Sequence, residues 1–404
     1  DAATQILTNI AILLLIGLVV SIISKKLNVS NILLLIIVGL IMGQLTTGNL
    51  FGFNSSFLVA IAVLTLVMVV FDGSSRFEIR HVDKFSVSAL RVTLLFLLFN
   101  VVFLTFFTGI LFFPKFHIEH LLFSMLYAIM MTGTDPGSVF IMLKSKTNKV
   151  IEFLEVEAII NTPIMVILPF IILGILQNTQ TSDVASAVVG QIVPLLQQIV
   201  VGVGSGAVIG IIVLKTMKKV YSQRFSPVGL ITAALLAYIL AENLSGNGVL
   251  AVATLGIFFG NSYVKEKETL QEFNSTLNNS LIILVFILIG LIIQVDFSVD
   301  LLLKALLLFA VLIMTRFAGI SLALRNKDFG AKEKTFMALS MPKGIAVAVV
   351  AFSLSVFSIP TAFNPLMKTL LELTVVSMVY SLILSSIIDR FSYGFIKVKL
   401  EEKD

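Results

Sequence analysis

The chain has 404 residues, 58% of them hydrophobic and 13% charged, with a mean hydropathy of +1.06. That balance excludes an ordinary soluble domain and points to a polytopic membrane protein. No cysteine is present, which excludes disulfides, thiolate metal sites and cysteine catalysis, and the net charge of +5 lies in short loops rather than in the folded basic patch that nucleic acid requires.

A helix of about 20 apolar residues crosses a bilayer. Thirteen such runs are predicted, near 4–23, 30–47, 56–72, 86–113, 119–143, 150–177, 187–214, 226–242, 247–263, 270–295, 299–323, 334–357 and 368–389. Several are long enough to imply tilt. The first has no basic stretch before it and no small-residue cleavage pattern after it, so it reads as a retained helix. The expected fold is an all-α polytopic membrane protein, one transmembrane domain over 1–404 ending in a cytoplasmic tail at 390–404.

The loops alternate in charge. Lys25 and Lys26, then Arg76, Arg80 and Lys84, then Lys144, Lys146 and Lys149 occupy the first, third and fifth. Lys215, Lys218, Lys219 and Arg224, then Lys265 and Lys267, then Arg325, Lys327, Lys332 and Lys334 occupy the seventh, ninth and eleventh. The even loops hold little beyond Lys115 and Lys368. By the positive-inside rule the odd loops are cytoplasmic, the N-terminus outside and the C-terminus inside.

Asn31 to Gly43 reads NILLLIIVGLIMG and Gly248 to Gly260 reads GVLAVATLGIFFG, so the pairs Gly39/Gly43 and Gly256/Gly260 stand 217 residues apart; Gly73 and Gly290 share that offset. Seven spans separate the copies, so the second would run the opposite way through the membrane. One reading is an inverted repeat, about 4–177 and 226–389 around a connecting span at 187–214, with the substrate site between the halves. The other is glycine spaced by four wherever membrane helices pack closely.

Charges inside the spans carry the functional signal, because burying them is costly. Asp135 stands in Thr132-Gly133-Thr134-Asp135-Pro136-Gly137, where proline and glycine are expected to interrupt the helix. An interrupted helix frees carbonyls for a cation, although Asp-Pro is also a favoured helix start. Glu157 and Asn161 share a helix face, with Thr162 and Pro163 following. Glu157 reads as an ion and proton ligand or as the structural partner of a buried base, and Lys343 as a proton carrier or as that counter-charge; Lys343 and Arg316 are the two candidate bases, and the expected partner is Lys343. Pro342 and Gly344 mark a second expected break, giving two broken helices in corresponding halves. Asp72 belongs to a helix end; His81, His117 and His120 lack the grouping of a metal site; no enzyme motif appears.

Together, Thr134-Asp135-Pro136, Glu157 with Asn161, FDG at 71–73, GVLAVATLGIFFGN at 248–261 and Pro342-Lys343-Gly344 resemble the monovalent cation:proton antiporters, in particular the NhaP-type sodium/proton antiporters. The resemblance implies thirteen spans, two broken helices crossing at mid-membrane, a homodimer in the cell membrane, no cofactor, and exchange of Na+ or K+ for H+. It implies that Asp135 ligates the metal ion and the proton, that the Thr134 carbonyl is a further ligand, and that Glu157 pairs with Lys343. Asn161 matches the asparagine of the family's Asn-Asp pair, but the aspartate of that pair is Thr162 here, and Ala158 stands where relatives often have serine or glycine. A hydroxyl ligates a cation without exchanging a proton near neutral pH. Competing readings are a sodium-coupled symporter of a small organic anion, a passive channel or sensor, and a relative with impaired ion binding.

Overall fold

The computed structural model describes residues 2–27, 29–45, 53–76, 84–113, 117–134, 146–147, 149–178, 184–219, 226–264, 266–293, 295–325, 329–356, 360–396 and 399–400. Helices α1 (Ala2–Leu27), α2 (Asn31–Leu45), α3 (Ser55–Ser75) and α4 (Lys84–Phe99) lead through a π-helical turn at Asn100–Leu104 into α5 (Thr105–Phe112) and α6 (Ile118–Met130). Then come α7 (Lys149–Asn178), α8 (Val184–Lys219), α9 (Ser226–Asn243), α10 (Gly248–Gly260), α11 (Lys267–Ile292) and α12 (Val299–Ala323). The chain continues in α13 (Ala331–Leu339), α14 (Ile345–Val356) and α15 (Asn364–Arg390). A two-residue antiparallel pair, β1 (Lys146–Thr147) with β2 (Lys399–Leu400), is the exception to an all-helical fold among the described residues.

Helix starts follow local chemistry. Asn54, Asn247 and Ser298 each turn a side-chain oxygen onto a free N–H three residues on, at 2.8, 2.9 and 3.3 Å. Among the described residues, eight helices are long and apolar enough to cross a membrane, and five shorter apolar helices accompany them. Polarity is inverted relative to a soluble protein: Leu98, Phe106 and Met314 are more than half exposed, while Glu157, Arg316 and Lys343 are fully buried. Such an exterior suits lipid.

Four glycines of the sequence pattern, Gly39, Gly43, Gly256 and Gly290, sit at close helix crossings. Gly39 and Gly43 of α2 lie against Gly290 of α11; a Cβ on Gly39 would stand 2.4 Å from the Ile287 carbonyl, and one on Gly290 would stand 2.5 Å from Leu40 N. Gly256 of α10 lies in the same way against Phe71 and Ser74 of α3. Thus α2 packs on α11 and α10 on α3. The same exchange of partners relates α1 on α11 to α9 on α3, and α6 on α15 to α13 on α7.

Two of the apolar segments stop early. Helix α6 ends at Met130, and a gap at Ser340–Gly344 separates α13 from α14. These ends are buried rather than at the surface.

Gly290→Ala forces α2 and α11 apart and is expected to destabilise by about 1–3 kcal/mol. This is read as a lower melting temperature in detergent. Gly204→Ala, with nothing within 4 Å of the added methyl, is expected to leave it unchanged.

Candidate functional site

An α-helix end leaves its last carbonyls without partners, and in a water-free interior each must find a donor. At the end of α6, Met131 N–H donates to the Tyr127 carbonyl at 2.9 Å, Thr132 N–H to Ile129 at 2.9 Å and Gly133 N–H to Met130 at 3.3 Å. The Thr132 hydroxyl donates to the Ala128 carbonyl at 3.0 Å. The carbonyls of Thr132 and Gly133 are met from other parts of the chain. Asn161 Nδ2 of α7 donates to that of Thr132 at 2.8 Å, and Lys343 Nζ donates to that of Gly133 at 2.8 Å. A Cβ at 133 would lie 2.4 Å from Met165 Cε, so a larger residue there requires the Met165 side chain to shift.

Lys343 belongs to the second break, so this bond ties the two interruptions together. Its own backbone N–H donates to Ser381 Oγ of α15 at 2.9 Å, which holds the break open where a helical bond would otherwise form. Gly344 restarts the helix by accepting from Ala348 N–H at 3.1 Å. The Lys343 ammonium therefore sits at the C-terminal, negative end of α6, where a cation is favoured. It also lies 5.4 Å from the centre of the Phe96 ring, which Arg316 faces at 4.9 Å.

The expected pairing of Glu157 with Lys343 is corrected here: Glu157 pairs with Arg316. Nη1 and Nη2 of Arg316 each donate to one carboxylate oxygen at 2.5 Å, with both side chains fully buried. The guanidinium fork matches a carboxylate at two points, whereas an ammonium offers a single point charge, and the lone carbonyl at Gly133 suits it. Among the described residues the fully buried charged side chains are these three, and they sum to one positive charge.

Thr134 is buried, with its hydroxyl 3.4 Å from Asn161 Nδ2. Asn161 Oδ1 is buried without a hydrogen-bond partner among the described residues. Asp135, Pro136 and Gly137, and the side chain of Thr162, lie outside the described residues. Asp72 is set apart from this group, near the end of α3, paired with Arg76 at 3.3 Å and 3.5 Å from Asn274 Nδ2 of α11. His117 and His120 face each other with ring centres 5.9 Å apart, and no group of three metal-binding side chains forms among the described residues.

Three polar residues of the site have no role assigned to them from the sequence. Asn100, Thr132 and Thr315 are buried and bonded to one another, Thr315 Oγ1 to Asn100 Oδ1 at 2.6 Å and Asn100 Nδ2 to Thr132 Oγ1 at 3.1 Å. An amide inside the run LLFLLFNVVFLTFF was the signal available for Asn100.

The buried end of α6 and the gap between α13 and α14, joined by a buried lysine beside a buried ion pair and inside an apolar exterior, form the polar core of a membrane protein. The family model described as "Sodium/hydrogen exchanger, transmembrane" matches residues 10–390, and the chain belongs to that family. It is 26% identical over 357 residues to the K(+)/H(+) antiporter NhaP of Alkalimonas amylolytica, a match covering 87% of this chain and 60% of that protein. Against the K(+)/H(+) antiporter NhaP2 of Shewanella sp. (strain ANA-3) it is 24% identical, covering 84% of this chain and 59% of that one. The chain thus spans about three fifths of the length of these relatives. The probable Na(+)/H(+) antiporter 2 of Methanocaldococcus jannaschii is 26% identical, covering 83% of this chain and 81% of that one. The fold matches the sodium proton antiporter MjNhaP1 of the same organism at a TM-score of 0.76 over 98% of both chains, with 19% identity.

Removing one member of a buried ion pair costs about 3–5 kcal/mol, because the other charge is left alone. Glu157→Gln is therefore expected to lower the melting temperature sharply. Glu157→Gln combined with Arg316→Met is expected to recover most of the loss.

Proposed function

We propose that the chain exchanges a monovalent cation, Na+ or K+, for protons by alternating access. The observation that carries this reading is the contact of Lys343 Nζ with the Gly133 carbonyl, which joins two helix breaks inside the bundle. The family and the K(+)/H(+) and Na(+)/H(+) antiporters among the relatives support the same chemistry.

In this reading Asp135 takes either the cation or a proton. It follows Gly133 by two residues in the chain. Glu157 is held by both arms of Arg316 and stays a structural anion, so the cation's charge is met by Asp135. Neutral oxygens complete the site: the Thr134 carbonyl, Thr162, and Asn161 Oδ1, which has no hydrogen-bond partner among the described residues. With a threonine at 162 in place of the family's aspartate, one carboxylate does the exchange, and one proton is traded for one cation. Bound cation and bound proton leave the site with the same net charge, so either loaded form can cross between the two faces.

The architecture that fits is thirteen spans in two inverted repeats around α8. Support comes from the exchanged packing of α2 on α11 and α10 on α3, and from the eight longer and five shorter apolar helices. The loop charges support an outside N-terminus and a cytoplasmic C-terminus in the cell membrane, and the resemblance supports a homodimer.

The test is dye-monitored proton movement in proteoliposomes on addition of Na+ or K+. Wild-type protein is expected to respond to at least one of them, and Asp135→Asn is expected to abolish the response. Unchanged exchange by Asp135→Asn sinks the assignment.

A further inference from the structure

Asn100 is fully buried in the π-helical turn between α4 and α5, and its amide is used at both ends. Oδ1 accepts from Thr315 Oγ1 at 2.6 Å, Nδ2 donates to Thr132 Oγ1 at 3.1 Å, and Thr132 Oγ1 donates to the Ala128 carbonyl at 3.0 Å. Each donor in this chain points the same way, from α12 toward the end of α6. Thr315 adjoins Arg316 in α12, and Asn161, which holds the Thr132 carbonyl, stands one turn after Glu157 in α7. Relay and ion pair therefore close a ring: α12 to the π turn, to the first break, to α7, and back to α12 through Glu157 and Arg316.

A π turn is uncommon and tends to occur at functional sites, and this one starts at the amide that bridges the two hydroxyls. The bridge is not needed to satisfy those hydroxyls. Without Asn100, Thr315 Oγ1 still has the Leu312 carbonyl at 2.9 Å, and Thr132 Oγ1 still has that of Ala128. What the amide adds is a fixed distance between α12 and the first break.

We propose that Asn100 is a positioning residue for cation binding, acting through Thr132 to set where the broken segment Thr132–Thr134 stands relative to the Arg316–Glu157 pair. It touches no cargo itself. The inference rests on the exchange reading and extends it to Asn100 and Thr315, which lie outside the ion-binding motif.

The experiment compares wild type, Asn100→Leu, Thr315→Val, Thr315→Ser and the Asn100→Leu/Thr315→Val double variant for cation-driven exchange in proteoliposomes, with Asp135→Asn as the inactive control. Asn100→Leu and Thr315→Val are each expected to raise the KM for the cation about tenfold, with kcat within about twofold of wild type. Thr315→Ser, which keeps the hydroxyl, is expected to restore KM. The double variant is expected to be no worse than either single one, because both cut the same relay. An unchanged KM in Thr315→Val, or effects that multiply in the double variant, overturns the proposal. Should Asn100→Leu fail to fold, Thr315→Val and its serine rescue decide alone. Absence of any cation response in wild type counts against the exchange reading instead, so the two failures are distinct.

Discussion

The Lys343 to Gly133 hydrogen bond is the contact on which the interior depends. Breaking a helix inside lipid exposes carbonyls that water cannot reach, and burying a lysine there leaves a charge that water cannot solvate. Each problem is the other's solution. The carbonyl at the negative end of α6 receives the ammonium, and the ammonium comes from the other break. Neither interruption is self-sufficient, so the two breaks are expected to stand or fall together.

Around that contact the packing is set by small residues. Gly39 and Gly290 bring α2 and α11 together closely enough that no Cβ fits, and Gly256 does the same for α10 on α3. These helices flank the buried charges without contributing any of the three. A glycine-packed set of helices thus stands beside the polar core that holds the buried charges.

Much of this was legible in the chain. The apolar run predicted at 299–323 coincides with α12, and Pro342 and Gly344 announce the gap between α13 and α14, since proline removes the donor that a continuous helix needs. Helix α6 ends at Met130, just ahead of the expected first break, whose Asp135, Pro136 and Gly137 lie outside the described residues. The partner of Glu157 was not legible. Arg316 and Lys343 are both plausible on charge, and the choice depends on the geometry of a fork against a point charge, which exists only once α7 and α12 are packed. Asn100 went unread because an amide carries no formal charge and its two partners are 32 and 215 residues away.

The central claim is that Glu157 is fixed by Arg316, leaving Asp135 to exchange one proton for one cation. Proton and cation fluxes measured in the same proteoliposomes, with the membrane potential imposed at several values, test it most directly. One proton per cation, at a rate insensitive to the potential, is the predicted result. Two protons per cation, or a rate that rises steeply with the potential, contradicts it.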